Sequence, residues 1–126
     1  MNEPDMLDAL WKALADPLRR KILQYLSRPE YFCRNQGKTV DGICVQDLAK
    51  YLDVPQSTVS RHLAILARSG WVVHDRWKTW HYYRINPAAL KAVAAWLEAL
   101  TPQDRRPDWP AESPQNLPAG PANSPK

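Results

Sequence analysis

Residues 56–66, Gln-Ser-Thr-Val-Ser-Arg-His-Leu-Ala-Ile-Leu, form the stretch that decides the fold of this 126-residue chain. Val59, Leu63 and Leu66 recur at helical spacing and predict the buried ridge of an amphipathic helix. The other side of this helix is polar and basic, with the residues Gln56, Ser57, Thr58, Ser60, Arg61, His62 and Arg68. A helix that enters the major groove of DNA needs such a side, because polar and basic side chains must reach bases and phosphates while the ridge packs on the domain.

The residues before and after this stretch complete a helix-turn-helix pattern. Apolar residues at helical spacing predict a preceding helix over residues 45–52, and Asp53-Val54-Pro55 then interrupts the period. Gly70 ends the longer helix, since glycine readily adopts the left-handed conformation of a C-cap. Two helices joined by a tight turn are therefore expected at about residues 45–68.

A β-hairpin is predicted directly after these helices. Residues 71–77 and 80–85 are rich in aromatic and β-branched side chains, and only Lys78-Thr79 separates them. Because this tip lacks the Asn-Gly or Asp-Gly that two-residue turns prefer, we expect a longer or bulged loop. A ribbon that follows a helix-turn-helix is the wing of a winged helix-turn-helix, here at about residues 71–85.

Three further amphipathic helices are predicted around this motif. The first spans about residues 6–15, the second runs from Asp16-Pro17 to about Ser27, and the last begins at Asn86-Pro87. Residues 29–43 have no clear period and are expected to form a long connection. The predicted fold class is therefore mainly α with a small β-hairpin, a winged helix-turn-helix of about five helices and a two-stranded wing.

The formal net charge of +4 is concentrated in one third of the chain. Residues 54–86 contain one acid, Asp75, and five basic residues, which are Arg61, Arg68, Arg76, Lys78 and Arg84. The other segments are balanced, so a polyanion such as double-stranded DNA is expected to face this block. Arg61 is the predicted base reader, because its guanidinium can bond guanine bidentately, whereas the neighbouring serines and threonine are expected to hold phosphates. The basic residues of the hairpin are expected to follow the DNA backbone or to enter the minor groove.

The last 25 residues hold seven of the twelve prolines and only two large apolar side chains. A segment of this composition cannot bury enough apolar surface to offset its ordering entropy, so residues 102–126 are predicted to be a disordered tail. Residues 1–101 then form a single domain.

No apolar run is long enough to span a membrane, and the first residues lack the pattern of a secretory signal. A cytoplasmic protein with no membrane partner is therefore expected.

These features predict a sequence-specific DNA-binding transcriptional regulator. The alternative is a winged-helix protein-interaction module that docks an acidic partner with the same basic side. An enzyme is not expected, since the chain has no Gly-rich phosphate loop, nucleophile elbow, paired carboxylates in an apolar setting or full metal triad. Ser60 and His62 are two residues apart on one helix and point to different sides, so they do not form a nucleophile and base pair.

Four stretches resemble the ArsR/SmtB family of winged-helix repressors. They are residues 10–23 (LWKALADPLRRKIL), 43–49 (ICVQDLA), 57–63 (STVSRHL) and 69–72 (SGWV), and the likeness extends over about residues 6–100. The resemblance implies a homodimer that binds a pseudo-palindromic operator near its own promoter, with the first and last helices in the dimer contact. The residues expected there supply more apolar surface than one domain easily hides: Leu7, Leu10, Trp11, Leu14, Val93, Trp96, Leu97 and Leu100.

The same resemblance bears on effector sensing. Many members sense metals or arsenite through a Cys-Val-Cys pattern on the helix before the turn, and here the matching residues are Cys44-Val45-Gln46. Residues 87–101 lack His, Cys and Asp and have only Glu98, so the zinc ligands that relatives use at the dimer interface are absent. A standard metal site of the family is therefore not expected, and no cofactor is assigned.

Cys33 and Cys44 remain as a candidate thiol sensor. The connection that carries Cys33 is longer than the family's usual link, and a flexible loop can bring the two thiols together. They would form either a disulfide switch or a two-thiolate site for a soft ion such as arsenite, completed by a third ligand. The other alternative is two unlinked thiols, one packed and one exposed. With a working sensor, a ligand or a thiol modification would release the repressor from its operator.

Overall fold

The computed structural model of the chain describes residues 3–35 and 37–102. Within them the elements are α1 (Glu3–Ala13), α2 (Pro17–Leu26), a 3-10 turn (Pro29–Tyr31), β1 (Arg34–Asn35), β2 (Lys38–Thr39), α3 (Val45–Leu52), α4 (Gln56–Ser69), β3 (Val72–Trp77), β4 (Trp80–Ile85) and α5 (Pro87–Ala99). The predicted fold class is confirmed, with α3 and α4 as the helix-turn-helix and β3 and β4 as the wing. The predicted tail lies, from residue 103 onward, outside the described residues. No helix in the described part of the chain is long and apolar enough to cross a membrane.

Side-chain caps and a glycine set several helix ends. The Asp16 carboxylate accepts hydrogen bonds from two backbone amides in the first turn of α2, at 2.7 and 3.3 Å. Asn86 caps α5 in the same way through one amide at 3.1 Å. Gly70 ends α4 with a φ of 101°, in the predicted left-handed conformation. α1 ends at Ala13, two residues before its predicted end at residue 15.

The hydrophobic core forms around α4. Val59, Leu63 and Leu66 are fully buried, as are Ile22 of α2 and Leu48 of α3. Four elements, α1, α2, α3 and β3, pack against α4. The ridge is therefore enclosed, and only the opposite side of α4 is left for solvent.

The wing is a regular hairpin whose strands pair over their whole length, ending with Trp77 opposite Trp80. Only Lys78 and Thr79 lie between the paired tryptophans, so the expectation of a longer or bulged loop is wrong. Lys78 takes the left-handed conformation, with a φ of 57°, that glycine or asparagine supplies in most turns of this length. The guanidinium of Arg76 donates to the carbonyl oxygen of Lys78 at 3.0 Å. This bond and the tryptophan pair hold a turn that the tip sequence alone does not favour.

The connection between α2 and α3, residues 27–44, is more ordered than its sequence predicts. It contains the 3-10 turn and the two-residue strands β1 and β2. Cys33 joins both sides of the loop through its backbone: its amide donates to the carbonyl oxygen of Gly42 at 2.9 Å, and its carbonyl oxygen accepts from the amide of Val40 at 2.8 Å. The position of Cys33 is therefore fixed by main-chain hydrogen bonds within the connection.

The connection is also bonded to the wing. Ile43 exchanges two backbone hydrogen bonds, each 2.9 Å long, with Tyr83 of β4. Gly42 permits this close approach, since its φ is 144° and a Cβ atom there would lie 2.6 Å from the Tyr83 carbonyl oxygen. The connection therefore meets the wing as a one-residue third strand.

Gly42→Ala is expected to lower the free energy of unfolding by roughly 2 to 3 kcal/mol, because the added Cβ meets the backbone of Tyr83 in a strained conformation. Equilibrium urea unfolding measures the change. Gly37→Ala is the matched control, since Gly37 also has a positive φ of 79° but has nothing within 4 Å of a Cβ placed there. We expect about 1 kcal/mol for this control. Equal losses at both positions would contradict the importance of the contact with Tyr83.

Candidate nucleic-acid interface and thiol pair

α4 turns a polar face to solvent. We call the following five exposed residues the polar face of α4: Gln56, Ser57, Ser60, Arg61 and Arg68. Thr58, which was predicted with them, is half-buried. The side chains of Arg61 and Arg68 have no hydrogen bond or ion pair with another described residue. Both guanidinium groups are therefore available to a ligand.

The polar face begins at the N-terminus of α4, directly after the turn between α3 and α4. Asp53 takes the left-handed conformation at the end of α3, with a φ of 58°, which reverses the chain within a few residues. Pro55 then occupies the N-cap position of α4 and provides no side-chain cap. A helix N-terminus without a side-chain cap favours anions, because its free amides and the helix dipole both attract negative charge.

His62 does not belong to the polar face, and its predicted role as a DNA contact is corrected. Its side chain is only 9% exposed, and its Nδ1 lies 3.2 Å from Nη1 of Arg19 on α2. Arg19 in turn donates from Nε to the carbonyl oxygen of Ala13, at the end of α1, at 2.7 Å. On α4, His62 lies three residues after Val59, so it adjoins the buried ridge. The imidazole therefore packs between helices.

The three basic side chains of the wing differ in what they contact. Arg76 and Lys78 are exposed near the tip, and Nζ of Lys78 lies 4.8 Å from the centroid of the Trp77 ring. Arg84 is half-buried, and its Nε donates to Oδ2 of Asp75 at 2.7 Å. The charge of Arg84 is therefore paired within the wing, while Arg76 and Lys78 have no ion pair with another described residue.

Rings stack along one side of the wing. His74 is opposite Tyr83 in the hairpin, with ring centroids 4.7 Å apart and planes 8° from parallel. The imidazole of His81 also stacks on His74, with ring centroids 4.8 Å apart, and Nε2 of His74 lies 2.7 Å from Nδ1 of His81. The stack runs from Tyr83, which bonds to Ile43 of the α2–α3 connection, to His81 in the outer part of the wing.

α1 and α5 leave apolar surface uncovered. We call the following exposed residues the apolar face: Met6, Leu90, Trp96, Leu97 and Leu100. Met6 and Leu90 were not among the predicted dimer contacts. Such a group of large exposed apolar side chains is typical of a surface that another protein covers.

Leu7 and Leu10 were predicted at the dimer interface and are buried in the core of their own protomer, only 9% and 5% exposed. Their assignment to the dimer contact is corrected, since helical periodicity does not distinguish a protomer's own core from a partner's surface. Three other predicted dimer contacts are half-buried: Trp11 on α1, Leu14 just after it and Val93 on α5. Trp11 contacts Trp96 edge to face, with ring centroids 5.4 Å apart, and so joins the two helices.

The two thiols meet where the α2–α3 connection joins α3. Cys33 is buried, and Cys44 is half-buried at the N-cap position of α3. The amide of Cys44 donates to Sγ of Cys33 at 3.2 Å, and Sγ of Cys33 donates to Oδ2 of Asp47 at 3.1 Å. The two sulfurs and an Asp47 carboxylate oxygen all lie within 4.8 Å of one another. The structure thus brings together the two cysteines that the sensor hypothesis requires.

The two thiols differ in acidity. The hydrogen bond with Cys44 raises the pKa of the Cys33 thiol far above its ordinary value, and burial and the Asp47 carboxylate raise it further. The hydrogen bond with Cys33 lowers the pKa of the Cys44 thiol to about 7; burial opposes this shift and the backbone amide of Asp47 adds to it. Near neutral pH, Cys44 is therefore partly a thiolate while Cys33 keeps its proton.

Asp47 belongs to this site although it was not predicted there. It lies one helical turn after Cys44, and this spacing is the sequence signal that identifies it. The soft-ion hypothesis left open a third ligand beside the two sulfurs, and the Asp47 carboxylate is placed to provide it. A closed tetrahedral zinc site needs a fourth donor, and no other His, Cys, Asp or Glu of the described residues joins the group.

The geometry first defines a class of protein. A helix, a tight turn and a second helix with a polar outer face, followed by a basic two-stranded wing, make a winged helix-turn-helix of the kind that binds DNA. In agreement, residues 14–74 match a family described as "Helix-turn-helix domain".

Individual relatives then specify the family. The arsenical resistance operon repressor of Bacillus subtilis is 37% identical over 83 residues, which cover 66% of this chain and 69% of that protein. The crystal structure of the ArsR family transcriptional regulator RHA00566 is similar with a TM-score of 0.60 and 30% identity, over 76% of this chain and 87% of that chain. The chain belongs to the ArsR family of transcriptional regulators.

A third similar protein is Mb0332 from Mycobacterium bovis, whose solution structure is described as a homodimeric winged helix-turn-helix DNA-binding domain. The likeness has a TM-score of 0.56 and 27% identity, over 76% of this chain and 78% of that chain. Membership of the ArsR family confirms the prediction of a DNA-binding transcriptional regulator over that of a protein-interaction module.

His62→Ala is expected to lower the free energy of unfolding by about 1 to 3 kcal/mol, because it removes a buried side chain and leaves Nη1 of Arg19 without its partner on α4. Arg61→Ala is the control on the same helix, and we expect a change within about 0.5 kcal/mol because its side chain is exposed. Urea unfolding of both variants measures the difference. Similar losses in the two variants would contradict the separation of the polar face from the helix-packing residues.

Proposed function

We propose that this chain is a cytoplasmic, homodimeric repressor that binds a pseudo-palindromic operator and is released by chemistry at Cys33 and Cys44. Its DNA-binding and dimerisation domain is residues 1–101. One observation carries the proposal: the polar face of α4 lies opposite a fully buried ridge, and a wing with a basic tip follows directly. Because the ridge prevents α4 from rotating about its axis, the polar face meets the major groove in one orientation.

The side chains of the proposed interface have different tasks. Arg61 reads a guanine, since its guanidinium is exposed and has no partner among the described residues. The short polar residues around it hold phosphates and fix the register: Gln56, Ser57, Thr58 and Ser60. Arg68 on α4, with Arg76 and Lys78 on the wing, contacts the flanking DNA backbone. His62 and Arg84 support these residues through internal contacts.

A second copy of the chain is the proposed partner of the apolar face. The homodimeric state described for the similar domain of Mb0332 supports this assignment. In a two-fold symmetric dimer the same apolar residues meet on both subunits. The two α4 helices would then enter successive major grooves about 34 Å apart, which requires the operator to be pseudo-palindromic.

Arg61→Ala is expected to weaken operator binding by about 1 to 3 kcal/mol and to leave binding to random DNA nearly unchanged. Lys78→Ala is expected to weaken binding to both DNAs alike and to reduce the slope of log K against log salt concentration by about 1. Fluorescence anisotropy at several salt concentrations, on DNA from upstream of the protein's own coding sequence and on a random duplex, measures both effects.

Lys91→Ala is the matched control for these variants, because Lys91 is an exposed basic residue on α5, outside the proposed interface. It should bind both DNAs as the wild type does. If the wild type prefers neither DNA, or if Arg61→Ala and Lys78→Ala weaken binding to random DNA equally, the proposed roles are wrong.

Leu97→Glu is expected to weaken dimerisation by about 3 kcal/mol, roughly a hundredfold, since a carboxylate without a partner would have to leave water at the interface. Leu97 is exposed in the protomer, so the variant should still fold. Sedimentation velocity measures the oligomeric state. Lys91→Glu, on the opposite side of α5, should remain dimeric, and an unchanged dimer in Leu97→Glu would remove α5 from the interface.

A further inference from the structure

Two thiols of unequal exposure lie together at the start of α3, outside the proposed DNA and dimer contacts. Cys44 is half-buried and reachable from solvent, whereas Cys33 is buried beside it. Their sulfurs lie within 4.8 Å of each other, and a disulfide bond is about 2.05 Å long. Cys33 lies in a loop and Cys44 at a helix end, so side-chain rotation and a small backbone shift can close the remaining gap.

We propose that a hydroperoxide oxidises Cys44, that Cys33 then closes an intramolecular disulfide, and that this change lowers the affinity for DNA. The inference rests on the proposed function, because it names the chemistry by which the thiol pair releases the operator. The exposures set the order of events, since an oxidant reaches Cys44 before Cys33.

In the first step the Cys44 thiolate attacks one oxygen of a hydroperoxide, ROOH. A sulfur–oxygen bond forms and the oxygen–oxygen bond breaks, so that Cys44 becomes a sulfenic acid and the alkoxide leaves. The alkoxide takes up a proton from water and departs as the alcohol ROH. The sulfur has then lost two electrons, and the peroxide has gained them.

In the second step the sulfur of Cys33 attacks the sulfur of Cys44. The disulfide bond forms, the sulfur–oxygen bond breaks and hydroxide leaves. The proton of the Cys33 thiol moves toward Oδ2 of Asp47, which accepts its hydrogen bond at 3.1 Å, and then to the hydroxide, which departs as water. The sum is two thiols and ROOH converted to one disulfide, ROH and water.

The disulfide would alter the contacts that hold the wing. Its formation removes the hydrogen bond from Cys33 to Asp47 and draws the Cys33 side chain toward α3. The backbone of Cys33 is bonded to Gly42, and the next residue, Ile43, is bonded on both sides to Tyr83 of the wing. A shift at the thiols therefore reaches β4 through the hydrogen bond between Cys33 and Gly42 and then through the pair between Ile43 and Tyr83, while Cys44 and Asp47 pass it to α3.

The thiol chemistry is tested first without DNA. The 126-residue chain contains two cysteines, so a titration of free thiols and intact-mass measurement after hydrogen peroxide treatment report directly on them. In the wild type both thiols should disappear together, with a mass lower by two hydrogens and no covalent dimer. Cys33→Ser should stop at a sulfenic acid on Cys44 that dimedone traps, and Cys44→Ser should react much more slowly.

DNA binding is then measured on the reduced and oxidised proteins. The oxidised wild type should bind the upstream DNA at least about tenfold more weakly, within the usual range of coupling between two sites. Cys33→Ser should change by less than about twofold after the same treatment. Dithiothreitol should restore the affinity of the wild type, because the disulfide is reversible.

Each contrary result has a distinct meaning. If the reduced wild type does not bind the upstream DNA, the proposed function fails, whereas the thiol measurements still decide the chemistry. If both thiols resist peroxide, if only covalent dimers form, or if the disulfide forms without a change in DNA affinity, the inference is wrong. If peroxide has no effect but arsenite binds the reduced pair one to one and releases the DNA, the site is a soft-ion sensor and the oxidation proposal is overturned.

Discussion

The burial of Val59, Leu63 and Leu66 against α1, α2, α3 and β3 is the interaction on which the rest of the structure depends. Burial of each of these side chains stabilises the fold by about 1.5 to 3 kcal/mol, and α4 cannot turn about its axis without exposing at least one of them. The direction of the polar face is therefore a consequence of core packing. His62 adds to this constraint because its imidazole lies within hydrogen-bonding distance of Arg19 and so joins α4 to α2.

Local signals in the sequence were sufficient for most bounds of the helices and for the two strands of the wing, but not for β1 and β2 in the α2–α3 connection. The predicted bounds of α3, the ends of α4 and the caps of α2 and α5 agree with the structure, because helical period, Asp or Asn caps and a C-terminal glycine act within one or two turns. The turn at Lys78 was predicted wrongly because its stability comes from a side-chain bond and a cross-strand tryptophan pair. Neither contact is visible in the tip sequence itself.

The candidate sites were less predictable, since they depend on which residues meet in space. Arg84 looks like a free basic residue until the hairpin register places Asp75 beside it. The helical spacing of Leu7 and Leu10 is the same whether they pack in the core or at a dimer interface. Only the packing of α1 on α4 shows that both lie in the core. Cys33 and Cys44 could be named as a pair from the sequence, but Asp47 enters only when the loop folds back on α3.

The α2–α3 connection places a second cysteine beside the N-cap of α3. Residues 27–44 form a loop that returns on itself, and its backbone hydrogen bonds fix Cys33 next to Cys44 before the chain enters α3. The same loop bonds to Tyr83 through Ile43, so one segment contacts both the helix that supports α4 and the strand that carries the wing. The two sulfurs thus lie at the junction of α3 and the wing, whereas a residue on the outer surface of either element contacts only one of them.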